Sequence, residues 1–163
     1  MADESGDMTK IVFRVEAEDG SVEVETSWAT RVGEDLYRIE NSPFYAYSVS
    51  WLDVVRAPFS KLEGRPTFEA VVQKSGHRTI RIIFDPPVVA GNVSDVVLQG
   101  LVSMGCSYEG ANPGYICIDV PPKVDLESVR SYLIAENANF EHADPTYEEL
   151  FLRRGDHWGA GLP

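Results

Sequence analysis

The sequence predicts an α+β protein with an N-terminal antiparallel β-barrel-like lobe followed by a ferredoxin-like (βαββαβ) lobe carrying an extra C-terminal helix. Three observations predict it. Before Gly76 the chain is a run of short alternating segments broken by turn residues. After Gly76 the order becomes strand, helix, hairpin, helix, strand, which is that of a split βαβ unit. A chain of 163 residues also buries roughly 70% of the surface its unfolded form exposes, enough for one good core or two small ones sharing an interface.

The polar, acidic residues 1–9 read as a disordered N-terminus, 10–74 as the β-rich lobe, 75–154 as the α+β lobe and the Gly-rich 155–163 as a flexible tail. Lys10 to Ala17 alternates with Ile11, Phe13 and Val15 on one face, and Asp19-Gly20 turns it into a second strand. There Val22, Val24, Thr26 and Trp28 share a face, and Glu16, Glu23 and Glu25 are assigned to the wet side. Leu36 to Glu40, Phe44 to Val49 and Asp53 to Ala57 read as further short strands. Five such strands need closure or a partner sheet, and a small barrel is the simplest answer.

Thr67 to Lys74 and Arg78 to Phe84 are expected to pair as a hairpin around Ser75-Gly76-His77 that joins the lobes. Asp85-Pro86-Pro87 ends the second strand because proline cannot donate to a ladder. A helix follows from Val93 to Met104, capped by Asn92 or Ser94 and stopped by Gly105. Ser107 to Gly110 and Tyr115 to Val120 form a hairpin. A second helix starts at an Asp125 cap with Val124 stapled on Val129, and Asn139 to His142 adds a last strand. Asp144 as cap, Pro145 at the first position, early glutamates and late arginines predict the terminal helix.

The formal charge of −12 is shared evenly, with 13 acidic and 7 basic side chains in residues 1–66 and the same in 67–163. Such a field repels phosphate backbones and anionic lipid, which argues against nucleic acid and membrane as partners. The one basic cluster is Lys74, His77, Arg78 and Arg81. Neither an apolar leader nor an apolar run of spanning length occurs, so cytoplasmic residence is the expectation. A hairpin over Cys106 to Cys117 sets those two thiols nearly opposite each other, while a cytoplasmic setting keeps them reduced and structural.

The segments Val22-Glu23-Val24-Glu25-Thr26-Ser27-Trp28-Ala29, Tyr37 to Tyr47, Asp53-Val54-Val55 and Ser75 to Arg81 together resemble an uncharacterised bacterial family, domain of unknown function 4265, over roughly residues 10 to 150. The resemblance implies a bacterial, cytoplasmic protein and carries no catalytic residues. It departs at Trp51-Leu52, where a smaller, Gly-containing pair is expected before Asp53.

No residue set forms a catalytic or metal signature, and neither catalytic residue, metal nor cofactor is assigned. His77 at a hairpin tip suits proton transfer near neutral pH, yet its spacing supplies no orienting carboxylate or nucleophile. His142 and Asp144 alternate on one chain without a third ligand. Tyr45, Tyr47 and Trp51 offer rigid aromatic area for a partner or ligand, and His77, Arg78 and Arg81 complete the candidate binding surface. The reading is therefore a non-enzymatic binding or regulatory module with a protein or small-molecule partner. Its alternatives are an acidic immunity-type inhibitor of a basic partner, an RNA-binding module, and an enzyme with a site at His77.

Overall fold

The computed structural model describes residues 6–152, which form an α+β arrangement of mostly antiparallel sheets and a few helices. Strands β1 (Met8–Glu16), β2 (Val22–Gly33), β3 (Leu36–Ile39), β4 (Val54–Arg56) and β7 (Ala70–Gln73) make a five-stranded sheet in that order. Between β4 and β7, β5 (Phe59–Ser60) and β6 (Arg65–Pro66) pair only with each other. The expected barrel does not close. β1 meets the chain ahead of β7 at one parallel bridge, Val12 with Thr67, and at one bond from the Phe68 N–H to the Val12 carbonyl. The residues that could complete a seam are spent on the small β5–β6 ribbon, and Pro66 there has no N–H to give.

The β1–β2 hairpin forms as expected, with Ile11 and Phe13 inward and Glu16 and Glu23 exposed, but the inward face of β2 is not the one that carries Val22, Val24 and Trp28. Ile11 pairs with Ser27 and Phe13 with Glu25, so this is the buried side, where Ile11, Phe13 and Ala29 join Tyr37, Ile39, Val49 and Val55 in a core. Val24 pairs with Arg14 and Trp28 with Lys10, and these look outward, with Val24 51% and Trp28 48% exposed. Glu25 consequently points inward. Alternation identifies two faces but not which one is covered, and the covering segment here lies far along the chain.

The second sheet has the order β11 (Asn139–Asp144), β8 (Arg78–Ile83), β10 (Tyr115–Val120), β9 (Ser107–Asn112), antiparallel throughout. Helices α1 (Val93–Ser103) and α2 (Leu126–Ala135) cover one face of it. Ile80, Ile82, Ile116 and Ile118 meet Leu98, Leu101, Val129 and Leu133 there. The helix starts are as read from sequence: Asn92 accepts the Asp95 N–H at 2.8 Å and Asp125 accepts the Ser128 N–H at 3.1 Å. Gly105 takes φ +105° just past α1, the left-handed conformation that ends a helix cheaply in glycine.

The hairpin expected between the lobes is not formed. β7 pairs with β4 in the first sheet, while both edges of β8 are filled by β10 and β11 in the second, so no edge of β8 is left for β7. Residues 74–77 instead cross between sheets, turning at Gly76 with φ +94°. The expected strand Phe44 to Val49 is irregular chain lying on the second sheet. The terminal helix appears as one π-type turn, Glu148–Leu152. Its cap is Thr146, whose hydroxyl accepts the Glu149 N–H at 3.1 Å while Glu149 accepts the Thr146 N–H at 3.2 Å, a reciprocal capping box. Asp144 is spent elsewhere. The remainder of that helix, the tail 155–163 and the first residues of the N-terminal segment lie outside the described residues. No helix among the described residues is long and apolar enough to cross a membrane.

One close approach fixes how α1 lies on α2. The Tyr132 hydroxyl donates to the Val97 carbonyl at 3.0 Å, passing so near Gly100 that a Cβ there would stand 2.0 Å from it. Gly100→Ala must displace Tyr132 and lose that bond. We expect a loss of about 1–3 kcal/mol, read as a lower denaturation midpoint; an unchanged midpoint would mean the helix pair has slack.

Candidate functional site

The face of the second sheet turned away from the helices carries Thr79, Arg81, Cys117 and Asp119, all buried. It is buried because residues 42–51 lie across it. That irregular segment satisfies its backbone with side chains rather than a neighbouring strand. Glu25, reaching in from β2, accepts the N–H groups of Phe44 at 2.5 Å, Tyr45 at 3.1 Å and Ala46 at 3.0 Å. Arg81, 2% exposed, donates to the carbonyls of Ala46 at 3.0 Å and of Pro43 and Tyr45 at 3.4 Å, while its Nε meets Glu141 at 3.1 Å. The Tyr115 hydroxyl donates to the Phe44 carbonyl at 2.5 Å. Buried amides and carbonyls need such partners, and this accounts for why a carboxylate and a guanidinium sit inside.

Beside it lies a second polar seam. Lys74 Nζ stands 2.6 Å from Asp53 Oδ2 and 2.5 Å from Asp144 Oδ2; Asp53 is fully buried. Asp53 also accepts the N–H groups of Ser50 at 2.9 Å and Ser75 at 2.7 Å. Ser50 gives its hydroxyl proton to Asp144 at 2.5 Å, so the Thr79 hydroxyl, 2.7 Å away, must donate to Ser50. Burial raises the Asp144 carboxyl above its ordinary value, and the bonds from Lys74 and Ser50 oppose that rise. The turn that presents Asp53 runs through Leu52 at φ +67°, closed by the Asp53 N–H to the Ser50 carbonyl at 3.1 Å. A tight turn therefore forms despite Trp51-Leu52, with leucine in the left-handed conformation that glycine adopts at little cost.

His77 turns its Nδ1 to Asp119, 2.8 and 3.0 Å from the two oxygens, with Trp51 edge-on to the imidazole at 5.0 Å. The orienting carboxylate that sequence spacing did not reveal is thus present, 42 residues downstream. Burial lifts the Asp119 carboxyl above its ordinary value, with His77 pulling the other way. A 320 Å³ cleft opens beside His77, lined by Ser48, Lys74 and Asp144 among others. Among the described residues, no hydroxyl or thiol is hydrogen-bonded to the imidazole. The arrangement can hold a proton; it does not contain an activated nucleophile.

Three of the four members of the basic cluster, Lys74, His77 and Arg78, line the smaller cleft together, but each is also engaged internally, and Arg81 lies apart from them. Lys74 serves two aspartates, His77 serves Asp119, and Arg81 is buried. The Arg78 guanidinium donates to the carbonyls of Pro121 at 2.6 Å and Val124, fastening the approach to α2. Tyr45 and Tyr47 are half exposed. Tyr45 packs on the Tyr115 ring at 5.7 Å, whereas Tyr47 lies over the Arg81 guanidinium at 4.6 Å and donates its hydroxyl to Glu141 at 2.9 Å. Cys106 faces the helices and Cys117 the Pro43 carbonyl at 3.4 Å, on opposite sides of the sheet and unbonded. Burial pushes these thiols up to about 11 and about 12, so neither supplies a thiolate at neutral pH.

A larger cleft, 680 Å³, lies on the other side of Tyr47, between α2, β11 and the turn after Pro145. Its walls include Tyr47, Ile134, Phe140 and Tyr147, with Arg130 and His142 as polar members. His142 is 7% exposed, and among the described residues neither ring nitrogen has a hydrogen-bond partner. Burial, and next the Arg130 charge, hold its imidazole below the ordinary histidine value. Phe140 and Phe151 present edges to it at 5.7 and 6.5 Å. Sequence reasoning weighed His142 only as a metal ligand; its isolation is a tertiary fact with no local signal. Among the described residues no group of three or more metal-ligating side chains converges.

Fold and site together define a two-sheet α+β protein with a polar seam between the sheets and clefts on either side of the chain leading out of β11. The chain belongs to the family described as domain of unknown function DUF4265, whose model matches residues 25–142. A solved structure, a hypothetical protein from Neisseria gonorrhoeae, is similar with a TM-score of 0.71 and 14% identity over 86% of this chain and 97% of that one, a likeness of fold. No curated protein matches.

Two variants test the site's energetics. Lys74→Met leaves two buried carboxylates facing each other. With Lys74 46% exposed, we expect a loss of about 2–3 kcal/mol at pH 7, below most of the roughly 3–5 kcal/mol of a fully buried broken pair because water already screens the ammonium. That deficit shrinks on acidification, because a raised carboxyl costs the fold stability only as pH rises through its folded value. A pH-independent deficit would contradict this. His142 has the opposite sign: its folded value is depressed, so its contribution is complete above about pH 6.5 and is lost as pH falls below. His142→Phe should flatten the stability profile below about pH 6.5 and raise the midpoint at pH 7; an identical slope in both proteins would count against a neutral, unpaired His142.

Proposed function

We propose that this chain is a non-enzymatic, cytoplasmic bacterial binding or regulatory module that holds a small ligand in the cleft beside Tyr47. It is built from a β-rich lobe, residues 10–74, and a ferredoxin-like lobe, residues 75–154. The order β11-β8-β10-β9, with a helix after the first and the third of these strands in the chain, supports the second assignment. The observation that carries the functional reading is His142. A buried imidazole with no partner on either nitrogen costs roughly 1–3 kcal/mol per unsatisfied group, and it borders the largest of the clefts described above. A bound molecule would relieve that cost. RNA binding loses support because the sheet face that would stack bases is covered by residues 42–51 and the basic side chains are engaged internally. The acidic-inhibitor reading rests on the net charge alone.

The His77–Asp119 pair favours one second reading, a proton-transfer site in the smaller cleft. A thermal-shift screen of the full chain against small metabolites, run in parallel on the wild type, His142→Phe and His77→Ala, separates the two. The expected result is at least one compound that raises the wild-type midpoint and that of His77→Ala but not that of His142→Phe. A compound whose effect vanishes only in His77→Ala would move the function to the other cleft, and turnover that survives His77→Ala would remove the enzymatic reading there.

A further inference from the structure

Resting on that binding reading, we infer that the cleft beside His142 takes an uncharged planar heterocycle bearing adjacent hydrogen-bond donor and acceptor groups, the edge that purine and pyrimidine bases carry. The walls argue for a flat ring. Tyr47, Phe140 and Tyr147 are aromatic, and offset or edge-on packing on such faces favours a rigid disc over a flexible chain. Phe151 supports the same wall, 4.7 Å from the Tyr147 ring.

The charges argue for neutrality. Among the described residues Arg130 is the one full cation lining the cleft, and it is already engaged, 3.2 Å from Glu127 and 4.9 Å over the Phe151 ring. Glu141 is committed to Arg81 and to the Tyr47 hydroxyl. The exposed Glu148 at the rim adds negative field that disfavours an anion, while Arg130 inside disfavours a cation. Among the described residues the charges inside the cleft, Arg130 and Glu141, are each already paired, and the remaining carboxylate, Glu148, stands exposed at the rim.

His142 supplies the recognition. A neutral imidazole offers one N–H donor and one acceptor nitrogen, and both are unused. The two ring nitrogens point in divergent directions, so a ligand edge meets one of them; an amide-type or amidine-type edge, carrying both a donor and an acceptor, has a partner for that nitrogen in either tautomer, whereas a purely apolar ring would leave both as they are. Because the two nitrogens are shielded from solvent, the turn Glu148–Leu152 with Tyr147 must shift for a ligand to reach them. That turn is held by the Thr146–Glu149 box, by the Ser48 hydroxyl donating to Glu149 at 2.8 Å, by ring contacts and by a single bridge between Ala143 and Thr146, not by a continuous sheet ladder.

The test is a titration of the ¹⁵N-labelled full chain with adenine and with uracil, read at the histidine ring nitrogens, with benzoate and benzyltrimethylammonium as charged controls. The His142 signals are those missing from the spectrum of His142→Phe, whose fold is checked by its backbone spectrum. The expected outcome is a saturable shift of the His142 ring nitrogens with at least one base. His142→Phe should weaken binding about tenfold, the value of roughly one lost buried hydrogen bond, and His142→Gln, which keeps a donor and an acceptor, should recover part of it. A charged control that shifts these signals while both bases do not would overturn the ligand class and leave the cleft as the binding site. Metabolites that stabilise the wild type but not His142→Phe, in the absence of any response to the bases, would do the same. Silence of the His142 signals towards every compound, together with a screen in which His142→Phe responds as the wild type does, would overturn both readings.

Discussion

The fold depends on one ammonium group shared by two buried carboxylates. Lys74 sits where the chain leaves the first sheet for the second; Asp53 precedes β4 in the first, and Asp144 ends β11 in the second. Burial lifts the Asp144 carboxyl and the Lys74 ammonium opposes that rise, while the same ammonium pairs with the fully buried Asp53, since burying a carboxylate without a partner costs several kcal/mol. The lysine is drawn in by both, and burial pulls its own value down while the two carboxylates raise it by more, leaving a net rise. The crossing between sheets is therefore held electrostatically at the point where no ladder continues.

That seam determines what the protein can present to others. With Arg81, Cys117, Asp119 and Thr79 buried beneath residues 42–51, the open face of a four-stranded sheet is turned into an internal interface. The usual argument that such a seam stabilises is weak, since a buried ion pair often only breaks even against apolar packing. Its stronger effect is on register. Arg81 matches three carbonyls and Glu25 three amides, so a shift of the covering segment by one residue would orphan several groups at once. Left-handed backbone at Ser48 and Leu52, each non-glycine, persists because these contacts over-determine it.

Much of the local structure was legible in the residues: the strands of the second sheet, both helices, the Asn92 and Asp125 caps and the stop at Gly105 each carry their signal within a few positions. What was not legible is long-range. Which side of the β1–β2 hairpin is buried depends on residues 44–46, some twenty positions away, and the partners that define the site are separated by 42 residues for His77 and Asp119, 70 for Lys74 and Asp144 and 94 for Ser50 and Asp144. Tyr45, Tyr47, Trp51 and His77 were singled out by type and do gather near the junction, but Arg78 and Arg81 read as surface charge only because sequence counts charges without showing which carbonyls they meet. The failed hairpin across Gly76 has the same origin. Two good strands in succession predict pairing unless one of them is wanted on both edges by others, and β8 is.

Among the described residues two buried polar side chains lack a partner, the Ser27 hydroxyl inside the first sheet and the His142 imidazole, and only His142 borders one of the clefts described above. Around the junction the chain goes to some length to provide partners, drawing Glu25 and Arg81 inward. His142 lies within the same strand as Glu141 and Asp144, both fully engaged, so the sheet could have supplied a phenylalanine there at no cost to its own pairing. A fold that pairs most of its buried polar groups and leaves two ring nitrogens idle beside a cleft has forgone stability there. Such local deficits concentrate where a protein meets a ligand, because the group that is poorly served in the free state is the one a ligand can serve.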